Sequence, residues 1–89
     1  MKFEFDPNKS VSNKIKHGID FNEAQLLWLD LRGIEIEART IGESRKLLIA
    51  TINDEVWSAI FTLRNDVIRI ISVRKSRENE KEIYYNTAI

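Results

Sequence analysis

At Ile34 the hydrophobic pattern of this chain switches to a period of two, and that switch limits the fold more than any other feature. Ile34, Ile36, Ala38 and Thr40 alternate with Glu35, Glu37, Arg39 and Ile41, as expected for a half-exposed strand. Three further stretches, residues 45–52, 56–64 and 67–74, are rich in Ile, Leu and Val and are set off by turn residues. Gly42-Glu43-Ser44 makes the first break, Asn53-Asp54 or alternatively Asp54-Glu55 the second, and Asn65-Asp66 the third. Two-residue breaks of this kind predict tight hairpins, because Asn and Asp tolerate the positive φ that such turns require. The second half of the chain therefore reads as an antiparallel meander.

The first third follows other periods. Residues 2–5 alternate around Phe3 and Phe5 and predict a short strand. Asp6-Pro7 has the form of an N-cap followed by proline at the first helical position, and the helix should stop near His17 with Gly18 as its left-handed C′ residue. Asp20-Phe21-Asn22-Glu23 has the spacing of a capping box and predicts a second helix with Phe21, Ala24, Leu27 and Trp28 on one side. After the last strand, Ser76 can cap a final helix with Glu78 and Glu80 in its first turn. The expected fold is one α+β domain over residues 1–89, in the order β-α-α-β-β-β-β-α, with the meander sheet packed against helices. Trp57, Phe61, Leu63, Ile68 and Ile70, with Ala24, Leu27 and Trp28, are the expected core.

Composition removes several classes of function. There is no cysteine and a single histidine, His17, so thiolate chemistry and a multi-His metal site are excluded within one chain, and neither metal nor cofactor is expected. No apolar run approaches the ~18 residues of a membrane span, and the N-terminus lacks the apolar stretch of a signal peptide, which predicts a cytoplasmic protein. Fourteen basic and fourteen acidic side chains cancel, which argues against a general nucleic-acid binder. They are nevertheless segregated. Residues 9–17 carry Lys9, Lys14 and Lys16 without an acid, and Arg64, Arg69, Arg74, Lys75 and Arg77 stand against Asp66 alone. Acids collect at residues 20–37 and 78–82.

Hairpin parity converts that bias into a surface. A two-residue turn at Asn65-Asp66 sets Arg64 opposite Val67, Thr62 opposite Arg69 and Ile60 opposite Ile71. Ser58, Ile60, Thr62, Arg64, Val67, Arg69, Ile71 and Val73 then share one face, and Trp57, Ala59, Phe61, Leu63, Ile68 and Ile70 the other. Either candidate turn before Val56 puts Arg45 opposite Thr62 or Arg64. Arg45, Arg64 and Arg69 should therefore converge, with Arg74 on the opposite face unless a bulge intervenes. Like charges side by side repel, and guanidinium groups suit bidentate contact with phosphate, so a phosphodiester is an economical reason to gather three. The bland alternative is that each pairs with an acid such as Glu80 or Glu82. Ile49, Ile60, Ile71 and Val73 would make the same face partly apolar, as suits a surface covered by a protein partner.

The residues also resemble a known family. Phe3-x-Phe5-Asp6-Pro7-x-Lys9, Asn13, Lys16-His17-Gly18-Ile19-x-Phe21-x-Glu23-Ala24, and then Ile68-Arg69-Ile70-Ile71-Ser72-x-Arg74 with Glu80 and Tyr84, are similar in order and spacing to the BrnT toxins. The resemblance spans nearly the whole chain. The family's arginine before the second meander strand falls on Arg45, and that at the end of the next strand on Arg64. Lys46 and Ala50 stand where the family often has an aromatic residue and a glycine.

The resemblance implies a RelE-like fold and an endoribonuclease of a bacterial type II toxin–antitoxin system, blocking translation by cutting RNA without a metal. In that chemistry the 2′-hydroxyl attacks the adjacent phosphate, so a pentacovalent dianion must be neutralised and two protons handled. Arg64 and Arg69 would hold the phosphate, with Arg45 and Arg74 assisting. His17 is the side chain whose ordinary pKa makes it a ready acid or base, although a histidine in the last helical turn is often only a favourable cation there. Lys16, Tyr84 and Glu80 would contact RNA, with Tyr84 equally suited to core packing. The implied partner is a BrnA-like antitoxin with a ribbon-helix-helix domain, which would carry the DNA contacts for this neutral chain. The competing expectation is a RelE-like module that binds RNA or an antitoxin and no longer cuts.

Overall fold

The computed structural model describes residues 1–38 and 44–87; Arg39, Thr40, Ile41 and the Gly42-Glu43 part of the expected turn lie outside them. Both Asn-Asp pairs form turns with consecutive positive φ, 51° and 67° at Asn53 and Asp54 and 51° and 68° at Asn65 and Asp66. That is the type I′ geometry, whose twist matches the flanking strands. Ile52 pairs with Glu55, so of the two possible turns Asn53-Asp54 is used. Strands β2 (Ile34–Ala38), β3 (Arg45–Ile52), β4 (Glu55–Arg64) and β5 (Val67–Lys75) are successive antiparallel neighbours. The first strand, β1 (Lys2–Glu4), joins the free side of β5 in parallel, and the sheet order is β1-β5-β4-β3-β2. The sheet is therefore mixed, not purely antiparallel. A parallel neighbour needs a long return path, which the whole chain between Glu4 and Val67 supplies.

One irregularity in β5 decides which side chains share a face. Arg64 opposes Val67 and Thr62 opposes Arg69 as parity requires, and Phe61 opposes Ile70, but Ile60 opposes Ser72. Ile71 is thus the extra residue of a β-bulge, and the alternation restarts after it. Val73, expected beside the arginines, comes opposite Ala59 and is fully buried in the main core. Arg74 comes opposite Ser58 and so joins the arginine side.

The main core lies on the other side. Leu48, Ala50, Trp57, Ala59, Phe61, Ile68, Ile70 and Val73 pack there against Ile19, Phe21, Ala24 and Leu27. Trp28 meets the rings of Phe61 and Phe3 edge-on at 5.2 and 5.3 Å. Leu63 departs from expectation and is 52% exposed, because it sits at the tip of the β4–β5 hairpin where the sheet ends.

Helix α1 (Pro7–His17) begins where Asp6 accepts a hydrogen bond from the Asn8 N–H at 2.8 Å. It ends at Gly18, whose φ of 80° lets its N–H reach the Lys14 carbonyl. Its buried side chains are polar, Ser10 and Asn13, while Val11 and Ile15 face outward. The inversion has a physical reason. β1 stops at the Glu4–Arg69 pair, so the backbone of β5 beyond it needs other partners. Asn13 supplies them, donating to the Val73 carbonyl at 2.9 Å and accepting from the Val73 N–H at 3.2 Å, with a further bond to the Ile19 carbonyl.

The capping box forms as read. Asp20 accepts from the Glu23 N–H at 2.7 Å and Glu23 from the Asp20 N–H at 3.0 Å. The segment it opens, Glu23–Leu29, is a 3₁₀ helix instead of an α-helix. Its buried residues Ala24 and Leu27 follow the buried Phe21 at intervals of three, which stacks them along a three-residue turn. The last helix, α2 (Glu78–Thr87), crosses to the arginine side and buries Tyr84 against Leu47, Ile49 and Val56.

Candidate active site

The arginine side of the sheet is ordered in cross-strand rows. Ladder partners give Ile34–Ile49–Ser58–Arg74 as one row and Ile36–Leu47–Ile60–Ser72 as the next. Extending the Lys46–Phe61 register by one residue sets Arg45 beside Thr62, so a third row runs across all five strands as Ala38–Arg45–Thr62–Arg69–Glu4. Strands lie ~4.8 Å apart, so Arg45 and Arg69 flank Thr62 at about that distance on either side. Arg64 stands two residues further along β4, on the same face, about 7 Å from Thr62 at the backbone. These three arginines are brought together, and Lys2–Glu4 closes the row with one carboxylate. The Glu4 carboxylate lies 3.8 Å from the Arg69 guanidinium, whose side chain is 32% exposed.

Arg74 belongs to a different group. It stands four β4 residues from the Thr62 row, roughly 13 Å away, and is covered by α2. Its two guanidinium nitrogens donate to the two Glu80 oxygens at 2.7 and 2.9 Å, a bidentate fork. Glu80 also accepts from the Ser58 hydroxyl at 3.0 Å and the Arg77 N–H at 2.8 Å, and Ser58 and Ser76 share a bond of 2.7 Å. The Arg74 fork, ahead of the other bonds and against the penalty of burial, holds the Glu80 carboxyl down at a pKa of about 2.

Tyr84 is buried beneath the same helix, and its hydroxyl donates to Asp30 at 2.7 Å. Asp30 further accepts from the Thr51 N–H and hydroxyl and from the Arg32 N–H, each at 3.0 Å. Burial pushes the Asp30 carboxyl up, but these bonds outweigh it and leave the group below its ordinary value. Burial and the bond to Asp30 push the Tyr84 phenol up. Of the apolar residues expected on the open face, Ile49 is covered by Tyr84 and Val73 has turned to the core, while Ile60 stays half-buried.

His17 and Lys16 end α1, on the Trp57 side of the sheet. Gly18 and Ile19, which follow them, line a pocket of about 390 Å³ with Trp57, Glu55 and Ile52. That is the end of β4 remote from Arg64. Two participants escaped the sequence reading: Thr62, whose pairing with Arg69 was legible but whose burial was not, and Asp30, which stood in a run of acids with nothing to mark it as a junction.

The comparisons with known proteins bear on this geometry. A family model described as "Ribonuclease toxin, BrnT, of type II toxin-antitoxin system" matches residues 5–80. The chain belongs to the BrnT family. No curated protein matches the chain. Membership makes this BrnT chain a ribonuclease toxin of a type II toxin–antitoxin system, with RNA as the class of target and an antitoxin as the class of partner. No helix among the described residues is long and apolar enough to cross a membrane.

Proposed function

We propose that this BrnT chain is a metal-independent endoribonuclease whose site is the Arg45–Thr62–Arg69 row together with Arg64. The observation that supports it is the gathering of three arginines on the half of the sheet that α2 leaves uncovered. A phosphodiester of single-stranded RNA lies across this row. The 2′-hydroxyl gives its proton to water and attacks phosphorus, the 5′-oxygen leaves with a proton taken from water, and the guanidinium groups share the charge that builds on the phosphoryl oxygens. The products are a 2′,3′-cyclic phosphate and a 5′-hydroxyl. Arg74, committed to Glu80, fixes β5 under α2. Lys16 serves as a cation at the C-terminal end of α1, His17 is the last residue of that helix, and Tyr84 serves in packing.

On the same reading the architecture is RelE-like, the protein acts in the cytoplasm, and RNA cleavage blocks translation. A BrnA-like ribbon-helix-helix antitoxin covers the arginine row with acidic side chains, inhibiting cleavage and carrying the toxin to DNA, where the antitoxin makes the contacts. Cleavage of an RNA oligonucleotide should persist in EDTA and leave 2′,3′-cyclic phosphate ends, and a 2′-deoxy substitution at the cut should abolish it. Inhibition by EDTA, or equal cleavage of the deoxy substrate, contradicts the proposal, because DNA lacks the nucleophile.

A further inference from the structure

At the centre of the arginine row Thr62 is 1% exposed, and its Oγ1 has no hydrogen-bond partner among the described residues. A buried hydroxyl without a partner is destabilising, and native proteins rarely keep one without a use. Threonine is not required here for shape: valine has nearly the same volume and the same branched stem, and it suits a central strand at least as well. What valine lacks is the hydroxyl. The residues beside Thr62 in the row are its ladder partner Arg69 and, by extension of the β3 register, Arg45, both with long side chains that can swing outward from the sheet.

We propose that Thr62 is a substrate-contacting residue of this site, its hydroxyl donating a hydrogen bond to a phosphoryl oxygen held between Arg45 and Arg69. The inference rests on the arginine row being the RNA site. When the two guanidinium groups lift onto a phosphate, the floor between them opens, and the orphaned hydroxyl gains the acceptor it lacks in the free protein. Stability of the empty site is thereby given up for binding, and the two should separate on substitution.

The test compares Thr62→Val and Arg69→Ala with the parent, measuring thermal midpoint, affinity for a 2′-O-methylated RNA oligonucleotide that cannot be cleaved, and cleavage of the unmodified RNA. Thr62→Val should melt higher than the parent, bind the methylated RNA roughly tenfold more weakly, as for a lost bond to a charged group, and cleave more slowly. Thr62→Ser should keep most of the binding and Thr62→Ala should lose it, which repeats the comparison at smaller volume should the valine variant not fold. Parental binding and cleavage in Thr62→Val, with Arg69→Ala impaired, overturns the role of Thr62 and leaves the arginine site standing. Parental behaviour in both variants overturns the site itself.

Discussion

Glu80 accepts from Arg74, Ser58 and the Arg77 N–H at once, and its carboxyl titrates at about 2 instead of 4.5. Its folded value is depressed, so its contribution to stability is full above the unfolded pKa and is lost as pH falls from about 4.5 toward 2. Asp30 acts in the same direction, since it too lies below its ordinary value. Urea unfolding should therefore show stability falling steeply across that acid range. Glu80→Gln should cost on the order of 3 kcal/mol at neutral pH, because it leaves Arg74 half-buried without its counter-charge, and it should flatten the acid limb. An unchanged acid limb in the variant would remove Glu80 from this role. The sequence offered Glu80 as a partner for an arginine, but parity set Arg74 on the face away from the other arginines unless a bulge intervened. The extra residue Ile71 is what reunites them, and nothing in Ile70-Ile71-Ser72-Val73 marks a bulge, for it contains no glycine or proline.

At the level of elements, Asn13 takes the place of a strand. Asn13→Ala strips partners from the Val73 N–H and carbonyl and from the Ile19 carbonyl, all buried, and should destabilise by roughly 2–4 kcal/mol in denaturant unfolding. A loss below 0.5 kcal/mol would mean that water can replace it. The Asn53-Asp54 turn holds an aspartate at φ 67°, where glycine is unstrained. Asp54→Gly should raise stability by about 0.5–1 kcal/mol, a few degrees in thermal midpoint for a domain of this size. Tight turns and capping boxes were legible because their chemistry is local, although the sequence left Asn53-Asp54 and Asp54-Glu55 both open and only the pairing of Ile52 with Glu55 chose between them. The parallel partnership of β1 and β5 was not, since Lys2–Glu4 and Val67 meet only through the path of everything between them. Leu63 shows the same limit, its apolar character fitting a core position while its place at a hairpin tip leaves it exposed.

Taken as a whole molecule, the sheet packs its main core on one side and only a smaller cluster on the other. The 3₁₀ segment with Ile19 and Phe21 covers the Trp57 side, α2 covers the Ser58–Arg74 half of the other, and the Arg45–Thr62–Arg69 row lies beyond the residues that α2 buries. On the proposed reading RNA affinity comes from this local group in a chain of zero net charge, and its salt dependence should be shallow. Three arginines on a single strand predict a slope of log K against log salt of about −2, reduced by roughly 0.7 on removing one. The two sides of the sheet carry rival candidates, Arg69 on one and His17 on the other. The most direct test is single-turnover cleavage of a 5′-labelled RNA by the parent, Arg69→Ala and His17→Ala proteins under one set of conditions. Loss of a donor to the developing charge should slow Arg69→Ala by about 100-fold or more, with His17→Ala within about twofold of the parent. Parental cleavage by Arg69→Ala, or a collapse of activity in a folded His17→Ala, would place the chemistry elsewhere than on the arginine row.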